Sequence, residues 1–550
     1  MEVENRSGKA SGAHSAEPNV TRRGFLAGSG LLAASVAAAG LVGCASPKQG
    51  QSGDGASNEK KKAASETIEA EVLVVGLGAS GILAAYGAAS KGAKVIGIDI
   101  AESMSGVTNV RTSGSWAVGS TLEKEGPSPY TIQEAMDFVN GKTNYQSNQK
   151  ALRAIMEAGG RAIDALSSAG MKWRTNFDLP ANDENFANRG IHWYDLKGDE
   201  RAAVFTNLLD SVGVECMFGT TAESAIMEDG RLAGIQCSSD SETVDIKAGA
   251  IVIATGGFLG SPEMVAKYFA GGSIVAMGNP VCTGAGINIA IDAGAQVGKT
   301  FSISANEYGG SNMNATPQYA FRPNTGTNDA LRLPVFGGLL VDAEGNRFIN
   351  EGFACERAMF AGDTFIREKY CYAVADQTFV DRLSNEPVSD FYGDERMKGM
   401  FEGIVMSDFE AQFDKAVEEG WAFKADTVEE LSEHFGQTKL AETVAEYNGY
   451  CEKGIDELFF KDAKYLQPLV QGPYYIVQSQ AGGWCSLGGI KTNASCQALD
   501  ADDKPVDSLF ICGVDADIYT SPLYLMACEN GFAIASGLIA GESAAEYVKA

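Results

Sequence analysis

Histidine is almost missing from this chain of 550 residues: His14, His192 and His434 are the full supply. A metal centre built from several histidines is thereby all but excluded. No C-x-x-C occurs among the eleven cysteines. An attached c-type haem or a ferredoxin-type cluster therefore lacks its usual ligand spacing. Apart from Cys44, the cysteines are scattered from Cys216 to Cys528 and read mostly as buried thiols. A cluster assembled from distant cysteines stays open. Positive charge is also short, with 43 basic against 71 acidic residues and a formal net charge of −28. Such a surface argues against nucleic acid and against an anionic membrane face. It is compatible with a basic protein partner or with a simple solubility function.

What the chain has in plenty is glycine, 65 residues, within a composition that is 45% hydrophobic and 21% charged. Length and composition allow a large core and more than one domain. The N-terminus reads as targeting sequence over residues 1–44. Arg22 and Arg23 precede Phe25-Leu26 and the Ala/Gly-rich run LLAASVAAAGLVGC. This pattern resembles a twin-arginine export signal, the alternative being a buried N-terminal helix. LVGC also resembles a lipobox, which would make Cys44 a lipid anchor and the one link to a membrane. Residues 45–66 are polar and read as a flexible tether.

The first chemical motif is AEVLVVGLGASGILAAYGAASKGAKVIGID, residues 70–99. It predicts a buried strand at Val72–Val75, a glycine turn, a helix and a second strand ending in Asp99. Gly76, Gly78 and Gly81 form G-x-G-x-x-G. The three serve in turn a tight bend, close approach of a pyrophosphate, and packing of helix on strand. Ala79 and Ser80 open the helix, whose free N–H groups hold phosphates. Asp99 accepts from a ribose hydroxyl. Far along the chain, Ile251–Ile253 runs into Thr255, Gly256 and Gly257. Near the end, LFICG (509–513) leads to Val514 and Asp515, followed by the helical stretch 531–548.

In this order these segments resemble the fumarate-reductase and 3-ketosteroid-dehydrogenase family of FAD enzymes, type 2 FAD-binding flavoproteins. SGVTNVRTSG (105–114), TGAGINIAIDAGA (283–295), GNRFINE (345–351) and LGGIKTN (487–493) add to the resemblance, which covers roughly residues 68–548. It implies an α/β fold: a Rossmann-like two-dinucleotide-binding FAD domain interrupted by an α+β capping domain. The implied boundaries are 67–305 and 483–550 for the FAD domain and 306–482 for the cap. FAD contacts fall on the residues already named and on Thr108, Ser113, Gly114, Ala222, Gly513, Ala533 and Ile534. SGVTNVRTSG contains no histidine, so the resemblance implies non-covalent FAD. It also implies an external electron donor, a cytochrome or a membrane quinol-linked protein. His192 is expected near the adenosine half.

The positions that bind substrate in the fumarate-reducing members are changed. The stretch AGGWCSLGG (481–489) is expected to form a turn, with Trp484 and Cys485 where that family has a histidine. The glycine pairs on either side leave room for another backbone or a flat ligand. Asn306 stands for a second histidine, the Thr-Glu pair falls near Ala330-Leu331, and an arginine falls on Tyr524. A dicarboxylate needs cationic or bidentate donors at both ends. The expected substrate is therefore a larger, less charged alkene: an enone, aryl-acrylate, unsaturated lactone or steroid. Arg357 is the candidate proton donor, two residues beyond the family spacing, with a plain structural Glu356-Arg357 pair as the alternative. Tyr524 matches a catalytic tyrosine of the ketosteroid enzymes, or else forms a wall. The implied activity is reduction of an activated C=C bond outside the cytoplasm. Alternatives are a ketosteroid-type dehydrogenase working oxidatively and a non-catalytic flavin electron-transfer protein.

Overall fold

The computed structural model describes residue 64 and residues 66–107, 112–127, 129–175, 189–239, 242–269, 274–310, 328–353, 368, 370–391, 393, 398 and 402–521, and 525–550, with backbone alone over 305–310. The stretch read as an export signal and nearly all of that read as a tether lie outside these residues, as do Thr108, Arg357 and Tyr524.

Chain order begins with β1 (Glu66–Val75), which passes through the glycine turn into α1 (Ala79–Ser90) and returns as β2 (Val95–Ile98). The first residue of β1 is Glu66, so regular structure starts one residue inside the stretch read as tether. Three short strands, β3 (Gly114–Trp116), β4 (Trp173–Thr175) and β5 (Ile191–Tyr194), make a separate antiparallel sheet in the order β3-β5-β4. The helix α2 (Gln149–Ser168) lies between β3 and β4 in sequence. Then come β6 (Glu215–Met217), β7 (Thr220–Glu228), β8 (Arg231–Ser239) and β9 (Glu242–Ile253).

The next stretch carries β10 (Ile274–Ala276), α3 (Ala285–Asp292), β11 (Ser302–Gly310), β12 (Leu339–Val341), β13 (Cys371–Asp376) and β14 (Ala422–Ala425). Helices α4 (Val428–Phe435) and α5 (Leu440–Lys453) follow, then the long strand β15 (Tyr474–Leu487). The chain ends with β16 (Gln497–Leu499), β17 (Pro505–Ile511) and α6 (Cys528–Lys549).

Eight strands form the main sheet, with β16-β17-β9-β1-β2-β6 in line and the β7–β8 hairpin attached to β9. The pairs β2–β1, β1–β9 and β9–β17 are parallel. Parallel strands covered on both faces need apolar residues at every position, not at alternate ones. Val72–Val75, Ile251–Ile253 and Leu509–Ile511 meet that need and are all at most 2% exposed. Segments from the start, middle and end of the chain thus lie side by side, with their C-terminal ends at one edge.

A second sheet, β10-β15-β13-β12 with β11 and β14 also paired to β15, is built from residues 274–487. A buried ionic group ties the segment after β12 to the one after α5. Arg347 pairs with Glu351 and Asp456 at 2.8 Å each, and the three side chains are at most 2% exposed. Among the described residues, no helix is long and apolar enough to cross a membrane.

Candidate active site

The glycine turn after β1 shows why its three glycines are not equivalent. Gly76 has φ +94°, and a Cβ there would strike the Ala254 carbonyl oxygen. A Cβ at Gly81 would collide with the Gly76 carbonyl. Gly78 differs on both counts. Its φ is −70°, which any residue adopts, and a Cβ there meets nothing within 4 Å. No protein atom explains that glycine, so the open space beside it is where a ligand comes close. Gly78 is also the N-cap of α1, with no side-chain cap and no acidic residue in the first turn. A bare helix start of this kind is an anion site. This cradle fits the pyrophosphate of FAD.

Asp99 closes the turn. Its Oδ2 accepts from the Leu77 N–H at 2.7 Å and its Oδ1 from the Ala101 N–H at 2.8 Å. Its own carbonyl accepts from the Thr220 N–H, which brings β7 and half-buried Ala222 alongside.

The turn after β9 is held by an unexpected group. Asp515, fully buried, accepts from the N–H groups of Gly256 (3.0 Å) and Gly257 (2.9 Å) and from the Thr255 hydroxyl (3.1 Å). Burial pushes its pKa up, while those donors pull it down. Asp515, read from sequence as an FAD contact, directs its carboxylate at Thr255–Gly257. The turn after β17 joins α1 through Gly513, where a Cβ would crowd the Ser80 side chain. Ala533 and buried Ile534 lie in α6 on the same side. Ser113 and Gly114 are brought to the third sheet, where Gly114 pairs with Trp193. His192, on the same sheet, is fully buried, with Nε2 2.8 Å from the Ser120 hydroxyl. Burial lowers its pKa to about 4, so it stays neutral.

Residues 481–487 are not a turn: they are the last part of β15. The pattern expected for a turn arises from two irregularities in the β11–β15 ladder. Ser304 pairs with Cys485 and Ala305 with Gly483, which leaves Trp484 between rungs. Ala305 pairs with Gly483 and Glu307 with Gly482, which leaves Asn306 between rungs on the other strand. Bulges re-aim side chains and are frequent beside active sites. Of the three substrate positions singled out from sequence, Trp484 and Asn306 are therefore the extra residues of their bulges, and Cys485 is paired beside them. The glycines around them make room for protein. A Cβ at Gly489 would strike the Asp515 carbonyl, and one at Gly488 (φ +89°) the Thr300 carbonyl. Gly278 makes room for the Trp484 carbonyl in the same way, beside a 2.7 Å hydrogen bond from the Met277 N–H to Gly483.

Two features escaped the sequence reading. Asp329 and Arg332 bracket Ala330-Leu331 and form a fully buried ion pair, Oδ1 to Nη1 2.7 Å. The signal was an acid and a base three apart in an otherwise apolar stretch. The second is Glu529, in the first turn of α6. Its Oε1 accepts from the Ser304 hydroxyl at 2.7 Å, opposite Cys485 across the ladder. Burial raises the Glu529 pKa to about 7. Burial also pushes the Cys485 thiol well up, with Glu529 and then Cys282 adding to it. Cys282 in turn lies against Gly256, where a Cβ would be 2.7 Å from its sulfur. The ladder, the start of α6 and the Thr255–Gly257 turn thus converge.

Comparison with known proteins fits this geometry. The FAD binding domain family profile matches residues 71–524. Vinyl phenol reductase of Lactiplantibacillus plantarum is 26% identical over 87% of this chain and 96% of its own length. Urocanate reductase of Eggerthella lenta is 25% identical over 87% of this chain and 75% of its own. Among solved structures, an open flavocytochrome c3 fumarate reductase superposes with TM-score 0.59 at 21% identity, covering 88% of this chain and 79% of that one. The 3-ketosteroid Δ1-dehydrogenase of Sterolibacterium denitrificans gives TM-score 0.59 at 18% identity, covering 87% and 99%. The glycine cradle that only a ligand explains thus has its counterpart in the matched family: the chain belongs to the type 2 FAD-binding flavoproteins and is an FAD-dependent oxidoreductase.

Proposed function

We propose that the protein reduces an activated C=C bond in an uncharged or weakly charged, flat substrate, with electrons from an external donor. The observation that carries this reading is the chemistry gathered at the β11–β15 ladder: an indole, two thiols, a hydroxyl and a carboxyl, from Trp484, Cys485, Cys282, Ser304 and Glu529. A dicarboxylate placed there meets a carboxyl in place of a pairing cation, which disfavours its binding. An indole offers a broad apolar face suited to a conjugated ring. Relatives whose names specify vinyl phenol, urocanate and digoxin reduction support the reaction class.

When bound, reduced FAD supplies hydride to the β-carbon of the alkene. The start of α1 and the space at Gly78 hold its pyrophosphate; the Thr255–Gly257 turn, set by Asp515, gives the cofactor a fixed wall. The first turn of α6 presents the positive end of a 22-residue helix dipole to developing negative charge. Arg357 or Tyr524 delivers the proton to the α-carbon. The division into an FAD domain (67–305 with 483–550) and a cap (306–482), export through the twin-arginine signal, and a cytochrome or quinol-linked donor belong to the same proposal.

An anaerobic assay with reduced viologen as donor and purified FAD-loaded protein tests it. Turnover of aromatic or polycyclic alkenes with negligible fumarate reduction is the expected result. Efficient fumarate reduction would overturn it.

A further inference from the structure

The second glycine turn holds an anion of the chain's own. Gly256 and Gly257 are both left-handed, with φ +90° and +79°, and their successive N–H groups turn to one side. Such a pair makes an anion-binding concavity of the kind that elsewhere cups a phosphate. Here the Asp515 carboxylate fills it, with the Thr255 hydroxyl as a third donor. Asp515 is 0% exposed, and the Ile490 N–H fixes its carbonyl at 2.8 Å. Among the described residues no cation forms an ion pair with it. Burial opposes the charge and the donors favour it. The donor set decides for the ionised form, since a protonated oxygen would need an acceptor and the partners of this carboxylate are donors. The charge is also close to the phosphate cradle. Thr255 follows Ala254, against which Gly76 packs, and Gly513, two residues before Asp515, lies against Ser80 at the start of α1.

We propose that Asp515 sets the reduction potential of the bound FAD by keeping a negative charge without a paired cation beside it. Taking up two electrons and one proton leaves FAD one charge more negative, and a buried carboxylate opposes that addition. The charge therefore lowers the potential and makes the reduced cofactor a stronger hydride donor. It also demands an external electron donor that is correspondingly reducing. The proposal rests on the presence of FAD and on no particular substrate, so it stands apart from the C=C reductase reading.

Asp515→Asn removes the charge and keeps the shape. FAD-loaded wild type and variant are titrated anaerobically with dithionite beside reference dyes, in mildly alkaline buffer that keeps the carboxyl ionised. The flavin spectrum gives the midpoint potential; FAD content and melting temperature are recorded alongside. A residue that only holds the turn in place affects oxidised and reduced FAD alike, and its loss leaves the potential unmoved even where FAD content falls. A charge changes the ratio of the two affinities. The expected result is a higher potential in Asp515→Asn, by about tenfold or more in the reduction equilibrium, which is about 30 mV for two electrons. A potential equal to or below that of the wild type overturns the proposal and leaves FAD binding and the reductase reading standing. Thr255→Val decides if Asp515→Asn does not fold or does not keep FAD. Valine matches threonine in shape and takes one donor from the carboxylate while leaving the charge. The less screened charge then lowers the potential below that of the wild type, and an unchanged or raised potential overturns the proposal.

Discussion

A single glycine can be demanded by the chain itself or by what the chain holds, and the two cases are separable at Gly81 and Gly78. At Gly81 the neighbour is the Gly76 carbonyl, a backbone atom that cannot swing aside. Gly81→Ala is therefore expected to destabilise the fold by about 3 kcal/mol or more. At Gly78 both backbone angle and surroundings accept a side chain. Gly78→Val should give a protein with native circular dichroism and cooperative melting that no longer retains FAD. The pair is read by far-UV spectra, thermal melts and flavin absorbance. A Gly78→Val protein that remains yellow would show that the cradle is not where the pyrophosphate sits. These glycines were legible in the sequence because their spacing is local. Asp515 was legible only as a neighbour of the cofactor. The partners of its carboxylate, Gly256 and Gly257, are more than 250 residues earlier, and nothing local announces such a clamp. Glu529 was missed for a different reason: an acid in a helix's first turn has an ordinary explanation at the surface, and only the fold shows it turned inward.

At the scale of elements, α1 and α6 lie together because small residues let them. A Cβ at Gly537 would strike the Ser80 carbonyl, and one at Gly541 the Ala84 carbonyl; from the other side, a Cβ at Gly87 would approach the Leu538 carbonyl at 2.8 Å. Gly541→Val drives a branched side chain into backbone and is expected to lower the melting temperature by about 2–3 °C, the effect of roughly 2–3 kcal/mol in a protein of this size. FAD retention should fall with it, since the start of α6 borders the site. A melting temperature within a degree of wild type would refute close helix packing as the reason for this glycine. The strand–turn–helix order was readable from apolar runs and glycine spacing, and Val72–Val75, Ile251–Ile253 and Leu509–Ile511 are strands as expected. The bulges at Trp484 and Asn306 were not readable. A register shift depends on the partner strand, β11 against β15, and leaves only an ambiguous cluster of glycines in the sequence.

Over the whole molecule, charge decides how stability follows pH. Burial raises the pKa of Glu529 to about 7 and of Asp517 to about 6. Both are above their unfolded values near 4, so the folded chain holds these protons longer than the unfolded chain does. Their ionisation opposes folding, and stability falls as pH rises from about 4 to about 7. Asp456 behaves in the opposite way: burial pushes it up, but hydrogen bonds from Arg347 and from backbone N–H groups outweigh this and hold it at about 2. Its contribution is present above pH 4 or so and is lost as pH falls toward 2. Self-repulsion from a net charge of −28 adds to the loss on the alkaline side. The melting temperature should therefore peak on the acid side of neutrality, at about pH 4 to 5, and Glu529→Gln should flatten the decline between pH 5 and 7. A profile that rises from pH 5 to 7 in both proteins would contradict the assignment.

The parallel order β17-β9-β1 has a consequence in time as well as in space. The phosphate cradle belongs to β1 and α1, but part of the surface facing it is made by Asp515, Gly513 and α6, which leave the ribosome much later. During synthesis the nascent chain therefore carries a glycine turn whose surroundings are incomplete through more than 400 residues of elongation. Cofactor capture belongs after the emergence of α6, and it closes a ring between segments made far apart in time.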